Sequence, residues 1–502
     1  MALIFVEGFD KFGGVNANNA GVQALLTAGE WTSAGSSQCS IVAPLSATGQ
    51  AVQIAFNSNS PLLVKTLAAS YSRLIGGCRI SSNLTLNNAG FGFGDAGTTQ
   101  CSITVNPAGT ISLRAGAPSG TAIATSSATI TAGSTHYIEW DITFGNSAAY
   151  QVWLDGTSIF SGTGDTTSTA NNTANQISFA GQSPAGHVVT YDDLYLFDTT
   201  GSTNNAVLLT SPRVETTFPA SDSAVQFAFG AGILGSTANR AGTTNAPAAG
   251  SLVLRRFTPS AAGTLNSITI MPGATSAGAN YRGVAYADSG GTAPGTLLSS
   301  GTQVTGVTNG TAATLPLTTP QSLTAGTQYW IGFINDTSVL LQLSDTGTVG
   351  YRAANTYASG APGTAPAMTS GLSSWLFWGN MTGVAVNWDE VNNQPPDGLY
   401  SYVFDATVNH EDLYGFGALS VTPASIYAVA VKGYVQRSDS GAKTVSLRTK
   451  SGASDGGGNI TGQTPATTYG WLTSIFETDP ATSSAWTGAN LNAATSGIKV
   501  DS

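Results

Sequence analysis

The chain has 502 residues, more than one ordinary hydrophobic core holds, so roughly two to four domains are expected. Only 9% of its residues are charged, against roughly a quarter in typical soluble domains, and Gly, Ser, Thr, Ala and Asn fill the difference. Seventeen basic against 27 acidic residues give a net charge of −10, which disfavours general nucleic-acid binding because phosphate neutralisation needs clustered Lys and Arg.

The N-terminal segment MALIFVEGFDKF reads as a strand and has no basic leader, long apolar core or small-residue cleavage site. No run approaches the ~18 apolar residues that span a bilayer, so neither ordinary export nor membrane insertion is expected. Cys39, Cys78 and Cys101 lack Cys-x-x-Cys spacing and read as buried thiols, with Cys78 and Cys101 close enough in pattern to meet on neighbouring strands. Apart from a short segment near Asn18 to Thr27, helical periodicity is absent. Short strands separated by Gly, Asn, Asp and Ser clusters at intervals of roughly 8 to 12 residues dominate, the pattern of an all-β chain of antiparallel sandwiches.

Residues 1–219 form the first expected domain. Its clearest element is HYIEWDITFGNSAAYQVWLDGTSIF, His136 to Phe160. Ile138, Trp140, Ile142 and Phe144 alternate with Tyr137, Glu139, Asp141 and Thr143, the period of a half-buried strand. Tyr150, Val152 and Leu154 follow, then Asp155-Gly156, a dipeptide suited to a tight hairpin. The opening strand LIFVEGFDKF and the late strand HVVTYDDLYLFD are expected to pair side by side, with CRISSNLTL, FGFGDAG and CSITVNPAGTISLRAG between them. This succession resembles the concanavalin A-like and laminin G-like lectin sandwiches, and the resemblance implies a jelly roll.

Glycanases on that jelly roll carry a Glu-x-Asp-x-x-Glu or Glu-x-Asp-x-Glu strand. Glu139 and Asp141 match the first two places, but the third falls on Thr143 or Phe144, so the second glutamate is missing. Retaining hydrolysis needs two carboxyl groups about 5 to 5.5 Å apart, and this strand does not supply the full set. No phosphate loop or zinc-binding helix motif is present, and His136, His187 and His410 have no partner at metal or catalytic spacing. Many lectin-like relatives bind calcium, yet no Asp-x-Asn-x-Asp cluster stands out, so no metal, cofactor or catalytic residue is assigned.

Residues 220–386 read as an inserted sandwich resembling carbohydrate-binding modules, with strands at SLVLRRFTP, LNSITIMPG, YRGVAYADSG, AATLPLT and QYWIGFIND. Sugars stack on flat aromatic side chains, which makes Trp330, Tyr351, Tyr357 and Trp378 the candidate ligand-binding residues. Alternation puts Trp375 and Phe377 on one face and Trp378 on the other.

Residues 387–502 form a C-terminal β domain for assembly or docking. Its hairpin AVAVKGYVQRSDSGAKTVSLRTK concentrates Lys432, Arg437, Lys443, Arg448 and Lys450, candidates for docking an acidic partner; the competing reading is a solvated sheet face. Pro212 to Ser223, Trp388 to Val391, Pro395 to Gly398, Arg437 to Gly441 and Phe476 to Pro480 together resemble a family of bacteriophage virion structural proteins. In such relatives the first piece runs almost directly into the second, which makes the middle domain an insertion. The resemblance implies a non-enzymatic virion protein on the particle exterior, a tail fibre or related appendage bound to other virion proteins. It further implies a homo-oligomer, a trimer by preference, that attaches to host cell-surface polysaccharide. A capsid decoration or head-fibre protein and a polysaccharide-degrading tail protein are the alternatives.

Overall fold

In the computed structural model the chain is described apart from residues 1–2, 13–25, 29, 36–37, 47, 57–60, 84–87, 182–186, 202–203, 230–231, 235–238, 260–261, 274–277, 291–292, 309, 339, 345–349, 373–374, 383–386, 393–395, 397–401 and 457. The expected helix near Asn18 and the Pro395 to Gly398 turn fall largely outside the described residues. The described chain is nearly all β, arranged in multiple antiparallel sheets. It divides into two compact units: Met1–Gln226, Asn392–Gly398 and Asp405–Ser502 make the first, and Phe227–Val391 with Leu399–Phe404 make the second. The C-terminal region therefore belongs with the N-terminal sandwich in one unit.

The sandwich strands are β1 (Leu3–Glu7), β2 (Ser33–Ala34), β3 (Cys39–Val42), β4 (Ala51–Phe56), β5 (Pro61–Tyr71), β6 (Arg73–Ser82), β7 (Ala89–Asp95) and β8 (Thr98–Val105). They continue as β9 (Thr110–Ala115), β10 (Ala122–Thr129), β11 (Thr135–Thr143), β12 (Ala148–Leu154), β13 (Thr157–Gly164), β14 (Ala174–Gly181) and β15 (His187–Phe197). One sheet runs β13-β12-β11-β6-β15-β4-β3 with β1 also on β15, and the other runs β10-β9-β8-β7-β14-β5-β2. The first and last strands pair antiparallel, Val6 opposite Tyr195. Asp155 and Gly156 both take positive φ, 49° and 77°, which is the backbone a two-residue hairpin requires.

Between the sheets lies one apolar core in which Trp140, Ile138 and Ile142 of β11 meet Phe91, Phe93 and Phe179 of the facing sheet. The three thiols sit in this core as free cysteines. Gly76 and Gly77 on β6 are required by close approach: a Cβ at Gly76 would stand 2.7 Å from the Trp140 ring, and one at Gly77 would stand 2.7 Å from both Tyr137 and Tyr195.

Two further layers complete the first unit. A five-stranded sheet contains Pro219–Val225, Glu411–Phe416, Thr495–Val500, Val445–Ser451 and Ser454–Gly456 in that order. It packs through Leu447 and Ile498 on the paired strands Val429–Val435 and Gly470–Phe476. Pro219–Val225 leads out of the sandwich toward the second unit and Glu411–Phe416 follows the return, and these two strands pair antiparallel with Val225 opposite Asp412.

The second unit is a sandwich of its own. Its six-stranded sheet contains all of Tyr281–Asp288, Tyr329–Asn335 and Ser251–Phe257, and its four-stranded sheet pairs Phe377–Thr382 with Gly263–Ile270. Ile331, Phe333, Trp375 and Phe377 share the core between the sheets.

Candidate functional site

The strand that carries Glu139 and Asp141 is buried on both faces. Opposite the core, Tyr137, Tyr195, Phe197, Ile75 and Leu3 form a second apolar patch with Ile475, and Val207, Leu208, Ala428 and Ala430 pack against it. Tyr137 and Glu139, expected on the polar face, are accordingly each only 1% exposed. Glu139 Oε1 accepts hydrogen bonds from the Tyr195 hydroxyl at 2.6 Å and from the backbone N–H groups of Leu208 and Leu209 at 3.0 Å each. Asp141 is paired in bidentate fashion with the Arg73 guanidinium, whose Nε lies 2.7 Å from Oδ1. One carboxylate thus holds backbone and the other holds an arginine, and Glu139 presents no open surface for a glycosidic bond.

The segment held by Glu139 is the tether that runs from β15 to Pro219–Val225. Its described residues include three non-glycine residues at positive φ, Asn204 (54°), Leu209 (55°) and Ser211 (49°), a backbone that a bulky residue such as leucine adopts only under external constraint. The constraints are visible. Arg79 Nη2 donates to the Ser211 carbonyl at 3.1 Å, Asp193 accepts from the Val214 N–H at 2.8 Å, and Asp10 accepts from the Thr216 N–H at 3.0 Å. Thr210 meets the Tyr427 hydroxyl at 3.2 Å, and Asn204 donates to the Tyr427 carbonyl at 2.9 Å.

A buried charge cluster joins the C-terminal strands to the sandwich. Lys432 donates to Glu30 Oε1 at 2.7 Å and to the Val6 carbonyl at 2.9 Å, and stands 3.5 Å from Glu7 Oε2. Lys11 pairs with Glu7 and lies 4.0 Å from Glu30, and Lys65 donates to the Glu30 carbonyl at 2.6 Å. Burial opposes every charge here, but the Lys11, Lys432 and Lys65 ammoniums hold the Glu30 carboxyl down at about 2. Burial lowers Lys11 to about 8 against the pull of Glu30 and Glu7, whereas the two glutamates keep Lys432 above the ordinary lysine value.

Lys432, read from sequence as a docking residue, therefore faces inward as an internal clasp. Its four companions are placed differently. Arg448 pairs with Asp455, Lys450 with Glu411, and Arg437 donates to the Gly441 carbonyl at 2.8 Å within its own turn. Lys443 is half-buried between them. The expected hairpin does not form: Val429–Val435 pairs with Gly470–Phe476, whereas Val445–Ser451 pairs with Thr495–Val500 and Ser454–Gly456, and the basic side chains of the segment are largely neutralised inside the chain.

The four aromatic candidates do not converge. Trp330 is fully buried, its indole N–H donating to Asp288 Oδ1 at 2.6 Å, the Tyr351 ring edge-on at 4.8 Å and the Arg256 guanidinium over it at 5.8 Å. It sits on the outer face of the six-stranded sheet, in an apolar cluster with Tyr286 and Leu254, against which Tyr351 and Tyr357 pack half-buried. That cover leaves Trp330 no ring face for a sugar. Tyr357 keeps part of its ring accessible beneath Arg282, whose guanidinium lies 5.0 Å away. Trp378 lies on the other sheet, 7% exposed and opposite Thr269.

The three histidines each have a local partner: His136 meets Asp155 at 2.8 Å, His187 meets Ser82 at 2.7 Å and His410 meets Asp405 at 2.7 Å. Among the described residues no group of three or more His, Cys, Asp or Glu side chains is placed to hold a metal ion, and no helix is long and apolar enough to cross a membrane. Sequence reading passed over Glu7, Asp10, Lys11, Glu30, Asp192 and Asp193. Their signal was rarity, since ionisable residues inside apolar strands of a chain this poor in charge are conspicuous.

No protein-family model and no curated protein matches the sequence. Among solved structures the chain is similar to alginate lyase Aly36B, at 17% identity and a TM-score of 0.28 over 38% of this chain and 95% of that one. It is also similar to the endo-β-1,4-glucuronan lyase of the fungus Trichoderma reesei (13% identity, TM-score 0.27, 39% and 95% covered). A third likeness is to domain 4 of AbnA, an extracellular arabinanase from Geobacillus stearothermophilus, solved with arabinotriose (16% identity, TM-score 0.27, 39% and 93% covered). At these scores the likeness assigns neither activity nor ligand.

Proposed function

We propose that this chain is a non-catalytic structural and attachment protein of a virion exterior, most simply a tail appendage, in which the first unit is scaffold and the inserted second unit is the displayed module. The observation that carries this reading is the fate of Glu139: it is buried, and its Oε1 holds the tether and Tyr195, so the one glycanase-like strand serves architecture. The paired strands at the base of the insertion add support, because they give the second unit a two-stranded root in the scaffold. Low charge with abundant Gly, Ser and Thr suits an exposed surface wetted by hydroxyls and amides.

The ligand class is host cell-surface polysaccharide, met by accessible aromatic surface of the second unit such as Tyr357 with Arg282. The test is incubation of purified protein with host polysaccharides, scored in parallel for retention and for chain length, together with antibody labelling of intact particles. Retention without shortening and label at the tail end are expected. Shortening, or label over the capsid, would replace the reading with the degrading or the decorating alternative.

A further inference from the structure

Residues 355–368 form a strap across the outer face of the six-stranded sheet of the second unit. The Asn355 N–H donates to the Gly250 carbonyl at 2.7 Å, the Tyr286 hydroxyl to the Pro362 carbonyl at 3.0 Å and the Leu297 N–H to the Gly363 carbonyl at 2.8 Å. Thr364 bridges Thr296 on the edge strand Pro294–Ser300. The strap carries the half-buried Tyr357 to Arg282, whose guanidinium lies 5.0 Å from the ring centroid.

The other polar groups around this pair are already used. Asp336, two residues beyond the Ile334 that pairs with Arg282, accepts from the Asn280 N–H at 2.9 Å and, through its other oxygen, from the Asn280 side-chain amide. The Asn280 amide oxygen accepts from Gln303 at 2.9 Å. Asp288 takes the Trp330 indole N–H at 2.6 Å and the Gly290 N–H at 3.1 Å. Arg282 is the exception. Every ion pair between described residues lies in the first unit, so no described carboxylate pairs with this guanidinium, and its Nε has no hydrogen-bond partner. Nη1 borders Gly360, where even an added Cβ would stand 3.8 Å away, so no side chain closes that approach.

A half-buried cation with no counter-charge carries a desolvation cost that nothing on the chain offsets. Sugar hydroxyls relieve it weakly, whereas a planar carboxylate matches the guanidinium fork with charge-assisted bonds. Residues 227–391 and 399–404 hold five arginines and five acidic residues, so the net charge of −10 resides in the first unit and does not bar an anion here.

We propose that Arg282 and Tyr357 make the second unit a receptor for acidic glycans: the guanidinium pairs with the carboxylate of a uronic acid residue, and the accessible part of the Tyr357 ring stacks on a sugar face. The specificity rests on the polysaccharide-attachment role proposed above and adds a ligand charge to it.

The test is retention of polygalacturonate, hyaluronate and xanthan by the full chain, each beside its own methyl ester, with host polysaccharide in parallel. At least one acid should be retained about ten- to a hundredfold more tightly than its ester, the worth of hydrogen bonds to a charged group, and the gap should narrow as salt rises. Arg282→Gln should abolish that gap, with the melt of the second unit as the folding control. Asp336→Asn removes a like charge that acts on Tyr357 while keeping an acceptor for Asn280, and should bind the acid more tightly, a gain that unfolding cannot mimic. Equal retention of acid and ester, an unchanged gap in Arg282→Gln, or retention of host polysaccharide but of none of the acids overturns the acidic specificity and leaves the attachment role standing. No retention of any polymer overturns both.

Discussion

Replacing Lys432 by Met should destabilise the first unit strongly while leaving its apolar core intact. The ammonium makes two short charge-assisted bonds, 2.7 Å to Glu30 and 2.9 Å to the Val6 carbonyl, and lies 3.5 Å from Glu7. Glu7 and Glu30 have side chains only 2% and 3% exposed, so water cannot take over the lost role. Removing one member of a buried ion cluster costs about 3–5 kcal/mol. Lys11 remains to neutralise one glutamate and the Met side chain keeps its packing near Phe5, which places the expected loss near 3 kcal/mol, the lower end of that range. For a unit of about 330 residues, with about 2.1 cal/mol/K of unfolding entropy per residue, that corresponds to roughly 4 °C in Tm by calorimetry. Glu30→Gln in the same chain should restore part of the loss, since it removes the charge left stranded. The pH dependence has a fixed sign. Glu30 is held at about 2 against its ordinary 4.5, so its contribution is complete above 4.5, is lost as the pH falls toward 2, and the difference between wild type and Lys432→Met should shrink through that window. A Tm change under about 2 °C, no larger than that of Lys443→Met at its half-buried position between the two strands, would refute the reasoning.

Other outcomes follow from the same geometry. Glu139→Ala leaves the Leu208 and Leu209 N–H groups and the Tyr195 hydroxyl without their acceptor and should cost about 2–4 kcal/mol, measured by urea denaturation. Trp330→Ala should destabilise the second unit by about 3–5 kcal/mol, so any loss of ligand retention would track its unfolding in a melting scan rather than appear in folded protein. Joining Gln226 to Asp405 through a short Gly-Ser linker should yield a folded first unit, seen as a cooperative melt, because Pro219–Val225 and Glu411–Phe416 already pair beside the junction. Burial pushes the Cys39 thiol up to about 11 and raises Cys78 and Cys101 as well, so all three should resist thiol reagents until the protein unfolds.

Much of the sandwich was legible from local pattern. The alternation in β11 and the Asp155-Gly156 turn depend on neighbours within a strand or hairpin, and sequence carries those directly, whereas the pairing of the opening strand with the late Asp-Asp-Leu-Tyr strand was legible only through the jelly-roll resemblance. What covers a sheet was not legible. Period-2 alternation distinguishes two faces but says nothing of whether the polar one meets water, and here the Tyr137 and Glu139 face lies beneath Val207, Leu208, Ala428 and Ala430, far along the chain. Lys432 misled for the same reason: it looks like a surface cation in a basic segment, and its partners Glu7 and Glu30 are some 400 residues away. Trp330 alternates with core residues and would be exposed on a one-sided sheet, yet Tyr351 and the segment through Tyr357 close over it.

The most direct measurement is the incubation of purified wild-type chain and Glu139→Gln with host surface polysaccharides, following both retention of polymer and its length over time. Equal retention by the two proteins with no change in length is the expected result. Progressive shortening by the wild type that Glu139→Gln abolishes would contradict the assignment of Glu139 to architecture and make the chain an enzyme.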